Sequence, residues 1–80
     1  MYEVIGIQII KGVSKKTQKP YHFCTIHCLD KRKFDNVEGS VTAKFDFNLE
    51  YLTDFAIPNI GDTIEVSFNY KGYPQRCYIV

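Results

Sequence analysis

Two histidines and two cysteines fall within seven residues, a density of metal-ligand side chains that suggests a zinc site. They are His22, Cys24, His27 and Cys28. Side chains alternate between the two faces of a strand, so His27 would lie opposite the other three, with Cys24 and Cys28 about 13 Å apart. That separation is too great for two thiolates on one tetrahedral ion. We therefore expect buried, reduced cysteines, with no disulfide, no metal and no cofactor.

The sequence also lacks the common motifs of catalytic sites. No cysteine stands beside a recognisable general base, and neither a glycine-rich phosphate loop nor a Gly-x-Ser-x-Gly elbow occurs. The carboxylates are scattered singly along the chain. The sequence therefore predicts that the protein is not an enzyme.

A basic stretch that runs into two aromatic residues gives the strongest functional signal. It reads Lys15-Lys16-Thr17-Gln18-Lys19-Pro20-Tyr21-His22-Phe23. Lysines neutralise phosphates, and flat rings accept unpaired bases with about 1–3 kcal/mol of stacking per base. If the cysteine-bearing face of this strand is buried, Tyr21 and Phe23 must point outward. The segment predicts binding of single-stranded nucleic acid, while a protein interface or a core position for the two rings stays open.

Basic residues are concentrated in one region, although the net charge is only +1. Seven of the ten lysines and arginines lie between positions 11 and 33, where Asp30 is the one acidic residue. Such a basic lobe suits a phosphate backbone, although lysine-rich loops also keep β proteins soluble.

The apolar residues recur with a period of two along most of the chain, which predicts strands. We expect five strands, at Tyr2 to about Ile10, Tyr21 to Leu29, Val41 to Asn48, Gly61 to Tyr70, and Gln75 to Val80. Between the third and fourth strands, the stretch from Leu49 to Ile60 lacks alternation and contains Pro58, which indicates a connector with room for one helical turn.

The same alternation assigns the faces of the strands. In the first strand, Ile5, Ile7 and Ile9 are expected on one face. In the third strand the expected inward residues are Val41, Ala43, Phe45 and Phe47, and the expected outward residues are Thr42, Lys44, Asp46 and Asn48.

Five strands and one irregular connector in 80 residues predict an all-β fold, a small five-stranded Greek-key barrel of the OB type. A chain of this length has room for one core, so residues 1–80 form one domain. The first residues show no basic stretch followed by an apolar run, so we expect no secretory leader, and no apolar run approaches the roughly 20 residues that cross a bilayer. We expect a cytoplasmic protein without membrane contact.

The order of these features resembles the filamentous-phage helix-destabilising proteins, small dimeric OB-type proteins that coat single-stranded DNA. The resemblance rests on Gly12-Val13-Ser14, on Lys19-Pro20-Tyr21 at the start of a strand, on Val41 to Phe47 with Lys44, and on the hairpin from Thr63 to Val80 with Lys71-Gly72-Tyr73 at its tip. The chain departs from the pattern of this family in two places. The basic loop before Pro20, which corresponds to the family's DNA-binding wing, has no glycine in its turn, and an extra basic run, Lys31-Arg32-Lys33, is present.

The resemblance implies a role for each matching residue. Lys15 or Lys16 would be the basic residue of the wing, and Tyr21 would be the base-stacking tyrosine. Phe23 would be its apolar neighbour, Lys44 the phosphate-facing lysine, and Tyr73 the ring donated across a homodimer. The complete predicted nucleic-acid-binding set is Lys15, Lys16, Lys19, Tyr21, Phe23, Lys44, Tyr73 and Arg76.

The resulting prediction is a homodimer that coats single-stranded DNA without sequence preference, during replication or transfer of a phage or mobile element. An RNA-binding OB domain and a small protein-interaction barrel are the alternatives.

Overall fold

The computed structural model describes residues 1–52 and 54–80, which form one antiparallel sheet of five strands. The strands are β1 (Tyr2–Val13), β2 (Pro20–Asp30), β3 (Val41–Asn48), β4 (Thr63–Phe68) and β5 (Pro74–Ile79). Their order in the sheet is β3-β2-β1-β4-β5, and the described residues contain no helix. The all-β, five-strand prediction is confirmed. No ladder joins β3 to β5 in the described part of the chain, so the hydrogen-bonded sheet is open.

The first two strands form a longer hairpin than the sequence predicts. β1 continues to Val13, and its last residues pair with Tyr21 and Pro20 of β2. The prediction that β1 ends near Ile10 is wrong because Lys11 and Gly12, which are typical of loops, continue the ladder by pairing with His22 and Tyr21 of β2. The loop of the hairpin shortens to residues 14–19.

A β-bulge lies near the start of β1. The register shifts between Val4, which pairs with Cys28, and Gly6, which pairs with His27, so Ile5 is the extra residue. The prediction that Ile5 shares a face with Ile7 and Ile9 is therefore wrong. Val4 takes the core position and is 1% exposed, whereas Ile5 is 46% exposed.

The core lies between the β1-β2-β3 sheet and β4. Its fully buried side chains include Cys24, Ile26 and Cys28 of β2, Phe47 of β3 and Ile64 of β4. Burial of Phe45 and Phe47, together with exposure of Thr42, Lys44 and Asp46, confirms the faces predicted for β3.

The connector between β3 and β4 covers one end of this core. Leu52 and Phe55 pack on it, the Phe55 ring lies 4.5 Å from that of Phe47, and Pro58 is buried. The amide of Leu52 donates to the Asn48 carbonyl at 3.1 Å, which closes one turn.

β4 begins after a glycine turn and completes the contact with β1. Gly61 has a φ of +93°, and its amide donates to the carbonyl of Val4 at 2.8 Å. The first residue of β4 is Thr63, two positions later than predicted. No helix in the described residues is long and apolar enough to span a membrane.

Candidate nucleic-acid interface

The sheet of β1, β2 and β3 has one face on the core and a second, partly exposed face, here called the outer face. The register of the ladders places on it Gly6, Gln8, Ile10 and Gly12 of β1, Tyr21, Phe23, Thr25 and His27 of β2, and Lys44, Asp46 and Asn48 of β3. Tyr21 and Phe23 thus lie opposite the buried cysteines, which confirms the orientation predicted from alternation. His27 is also on this face, away from Cys24 and Cys28.

Tyr21 and Phe23 form a pair of rings beside the hairpin arm. Their centroids lie 6.4 Å apart with an interplanar angle of 30°. Phe23 is 36% exposed, and Tyr21 is half-buried. The two rings therefore offer flat apolar surface to solvent on the same side of the sheet.

Gly12 supports the Tyr21 ring from the neighbouring strand. A Cβ atom at position 12 would lie 2.6 Å from the Tyr21 hydroxyl oxygen and 2.9 Å from Cζ. Both distances are shorter than a carbon contact allows, so the ring can rest where it does only because residue 12 has no side chain.

A groove brings three of the predicted residues together. Phe23, Lys44 and Tyr73 line it, together with Asp46, Asn48, Tyr51, Leu52, Asn69, Pro74 and Gln75. Its volume is about 690 Å³, within the range of clefts that hold small ligands, about 300–1,000 Å³. Tyr73 therefore contributes to the groove of its own chain.

The hairpin between β4 and β5 holds Tyr73 in place through Asn69. The Asn69 Oδ1 atom accepts hydrogen bonds from the backbone amides of Lys71 (2.9 Å) and Tyr73 (3.0 Å). Gly72 takes a φ of +86°, which a residue with a side chain rarely adopts. The Tyr73 side chain stays 64% exposed, so a ring with a fixed backbone faces open solvent.

The wing turn, residues 14–19, presents Lys15, Lys16 and Lys19 to solvent. The Ser14 amide donates to the Lys19 carbonyl, and the Gln18 amide donates to the Ser14 carbonyl, each at 2.9 Å. Gln18 has a φ of +57°. It occupies the left-handed position that glycine favours, so the turn closes without the glycine that the resemblance leads one to expect.

The second basic segment is largely neutralised by acidic partners. The Arg32 Nη2 atom lies 2.8 Å from Oδ2 of Asp30, and the Lys31 Nζ atom lies 3.0 Å from Oε1 of Glu3. Hydrogen bonds from Arg32 lower the pKa of Asp30 to about 2. In contrast, none of the lysines at the wing turn has an ion-pair partner within the described residues. The basic lobe is therefore smaller than the sequence indicates.

Lys44 and Asp46 place opposite charges on the groove. Lys44 forms no ion pair with a described residue. The Asp46 carboxylate instead accepts a hydrogen bond of 2.6 Å from the Thr25 hydroxyl. A phosphate is attracted to the lysine and repelled by the carboxylate, which restricts the path of a polyanion across this face.

Arg76 lies apart from the other predicted residues. It lines a separate cleft with Asp54, Phe55 and Tyr78, on the connector side of the β4–β5 hairpin. The structure therefore groups Phe23, Lys44 and Tyr73 and leaves Arg76 outside the groove.

The three cysteines are free thiols. Burial raises the pKa of Cys24 and of Cys28, and burial is the main cause that raises the pKa of Cys77 to about 11. Nothing in the described range groups three His, Cys, Asp or Glu side chains as a metal site requires.

Gly12, Tyr51 and Asn69 belong to this interface but were not predicted. The role of Gly12 becomes visible only once the register with Tyr21 is known. Tyr51 is 82% exposed at the end of β3, and its position at the break in alternation was the available signal. Asn69 precedes a Tyr-Lys-Gly turn, a context typical of a side chain that accepts backbone bonds.

No protein-family model, curated protein or solved structure matches this chain. Its function is therefore inferred from the chemistry and geometry of this interface.

Proposed function

We propose that the chain binds single-stranded DNA without sequence preference and coats it, as a helix-destabilising protein of a phage or mobile element. The observation that supports this most is the outer face, where two adjacent, partly exposed rings are flanked by lysines that form no ion pair with a described residue. This combination matches what single strands require, a stacking surface and a positive path.

Stacking explains the preference for single strands. Each unpaired base placed on an aromatic ring contributes about 1–3 kcal/mol. Tyr21 and Phe23 sit close enough for neighbouring bases, and Tyr73 supplies a third ring across the groove. Bases within a duplex are already stacked and paired, so they gain nothing from these rings.

Charge supplies the part of the affinity that does not depend on sequence. Phosphates lie along Lys15, Lys16 and Lys19 at the wing turn and reach Lys44 at the groove. Each neutralised phosphate releases counterions, so the affinity falls steeply as the salt concentration rises. Because only single strands are bound well, mass action shifts a duplex toward opening, and no cofactor, metal or catalytic step is needed.

The fold that we propose for this activity is an OB-like Greek-key barrel. β3 and β5, the two ends of the open sheet, lie near each other on one side of the core. If β3 and β5 paired with each other, the sheet would close into a barrel of the kind that often binds single-stranded nucleic acid. The proposal places the protein in the cytoplasm as a homodimer.

A titration of nucleic acids tests the proposal. Oligo(dT), oligo(rU) and a duplex of equal length are titrated at two salt concentrations. We expect the tightest binding to oligo(dT), with a steep loss of affinity at high salt. Tighter binding to oligo(rU) would assign the interface to RNA. Equal affinity for the duplex would reduce it to a general basic patch and overturn the proposal.

A further inference from the structure

The edge of β1 that faces away from β2 lacks a backbone partner over most of its length. β4 pairs with β1 only at Tyr2 and Glu3, and Val4 makes the last backbone bonds to the turn before β4. Between Ile7 and Val13, this edge has no backbone hydrogen bond to any described residue.

The ladder with β2 shows which groups point to this open edge. Hydrogen-bonded pairs alternate with non-bonded pairs in an antiparallel ladder. Ser14 is bonded to Lys19, so the non-bonded residues of β1 follow in steps of two, at Val13, Lys11, Ile9 and Ile7. Their N–H and C=O groups therefore point away from β2, to the open edge.

Two observations on β2 support this assignment. Pro20, which has no N–H group, pairs with Val13, where no bond between the strands is needed. The carbonyl of His22, the partner of Lys11, accepts instead from Leu49 on the β3 side at 2.7 Å.

The side chains along this edge are apolar and exposed. Ile9 is 46% exposed, Ile10 42% and Val13 58%. Natural edge strands are usually protected by charges, prolines or bulges. Between Ile7 and Val13, Lys11 is the one protecting feature of this kind. This edge can therefore pair with another β-strand.

We propose that two copies of the chain join through this edge, with β1 antiparallel to β1 around a two-fold axis at Ile10. In this register Ile7 lies opposite the partner's Val13, and Ile9 lies opposite the partner's Lys11. Every open N–H and C=O group between Ile7 and Val13 then finds a partner.

Neighbouring registers fit less well. A two-fold axis at Lys11 would place two ammonium groups directly opposite each other, which is destabilising. An axis at Ile9 would place Val13 opposite the bulge at Ile5, where the ladder is disrupted. The antiparallel arrangement around Ile10 also sends the two wing turns in opposite directions, so their lysines do not repel each other.

The pairing joins two outer faces into one. Phe23 and Ile10 lie side by side on this face. In the dimer, these two side chains would continue into the partner's Ile10 and the partner's Phe23, which forms one row of apolar side chains across both outer faces. The pairing supplies an interface for the homodimer of the proposed function, and its consequence for DNA rests on that function, whereas the pairing itself does not require DNA.

A disulfide cross-link tests the register. Ile10 faces itself as a non-bonded pair, with Cα atoms about 4.5 Å apart, within the roughly 4.4–6.8 Å that a disulfide spans. We expect Ile10→Cys to form a covalent dimer under mild oxidation. Gln8→Cys is the matched control on the same face, because the two introduced thiols would lie about 13 Å apart along the strand. The parent protein gives the background from its native cysteines.

A proline substitution tests the edge itself, without DNA. The Lys11 amide has no hydrogen bond to a described residue, so Lys11→Pro should keep the fold and its thermal transition while converting the dimer to a monomer in sedimentation equilibrium. Lys11→Ala removes the same charge but keeps the amide, and it should remain a dimer.

Three results would overturn the pairing: a monomeric parent at millimolar concentration, equal dimerisation of the two Lys11 variants, or equal cross-linking of the Ile10 and Gln8 variants. Tyr21→Ala separates this proposal from the proposed function, because it should lose affinity for DNA and remain a dimer.

Discussion

The contact between Gly12 and Tyr21 predicts that a single methyl group can disable the stacking surface without harming the fold. In Gly12→Ala, the new Cβ would lie 2.6 Å from the Tyr21 hydroxyl and 2.9 Å from Cζ. The atoms in its way belong to the far end of a side chain, so the ring can swing aside. Alanine also suits a strand better than glycine by about 0.5–1 kcal/mol. We expect unchanged or slightly higher stability.

Affinity should fall while stability holds. A displaced ring loses up to one stacking increment, about 1–3 kcal/mol, which weakens Kd for oligo(dT) by about 5-fold to 150-fold. The assay is a fluorescence titration at fixed salt, with thermal unfolding measured on the same samples. The double variant with Tyr21→Ala should lose no more than Tyr21→Ala alone, since both changes remove the same contact.

Gly6→Ala is the matched control for this experiment. Gly6 lies on the same strand and the same face, but a Cβ there would meet His27 Cβ at an ordinary 3.5 Å. It should bind like the parent. If Gly12→Ala also bound like the parent while Tyr21→Ala bound weakly, Gly12 would not be needed to position the ring.

Three further predictions concern charge, the third ring and acid stability. Lys16→Ala should make the negative slope of log affinity against log salt shallower by about 0.7, because one phosphate contact on a single strand is lost. Titrations at several salt concentrations measure this slope. Tyr73→Ala should weaken binding of oligo(dT) by about 1–3 kcal/mol, whereas Tyr70→Ala, which removes a 93% exposed ring outside the groove, should change nothing. The lowered pKa of Asp30, about 2 against an ordinary 3.8, stabilises the fold above pH 4, and this contribution is lost as the pH falls toward 2. Urea unfolding between pH 5 and 2 should therefore show a smaller loss of stability for Arg32→Ala than for the parent over this range.

Alternation alone predicted the faces of β2 and β3. Each of these strands has one side on the core, so the apolar period of two is unbroken from Cys24 to Cys28 and from Phe45 to Phe47. The outward direction of Tyr21 followed from that pattern.

The bulge and the length of β1 could not be predicted in the same way. The run from Val4 to Ile7 is apolar at every position except Gly6, so it contains no signal for the residue at which the register shifts. Lys11 and Gly12 are typical of a loop, and only their pairing with β2 keeps them in the strand.

The groove depends on contacts between residues distant in sequence. Tyr73 lines the same groove as Phe23 and Lys44 because the β4–β5 hairpin lies near β3, and no local pattern encodes that arrangement. The ion pair of Lys31 with Glu3 likewise forms because the end of β2 lies beside the start of β1.

Phe23→Ala tests whether bases stack on the outer face. The measurement is the ratio of Kd for a duplex to Kd for oligo(dT) of equal length, at one salt concentration. Phe34→Ala is the control, because Phe34 is similarly exposed (39% against 36%) but lies in the loop between β2 and β3. We expect a large ratio for the parent and for Phe34→Ala, and a ratio about 5-fold to 150-fold smaller for Phe23→Ala, which corresponds to one stacking increment of about 1–3 kcal/mol. An unchanged ratio for Phe23→Ala would contradict stacking on the outer face.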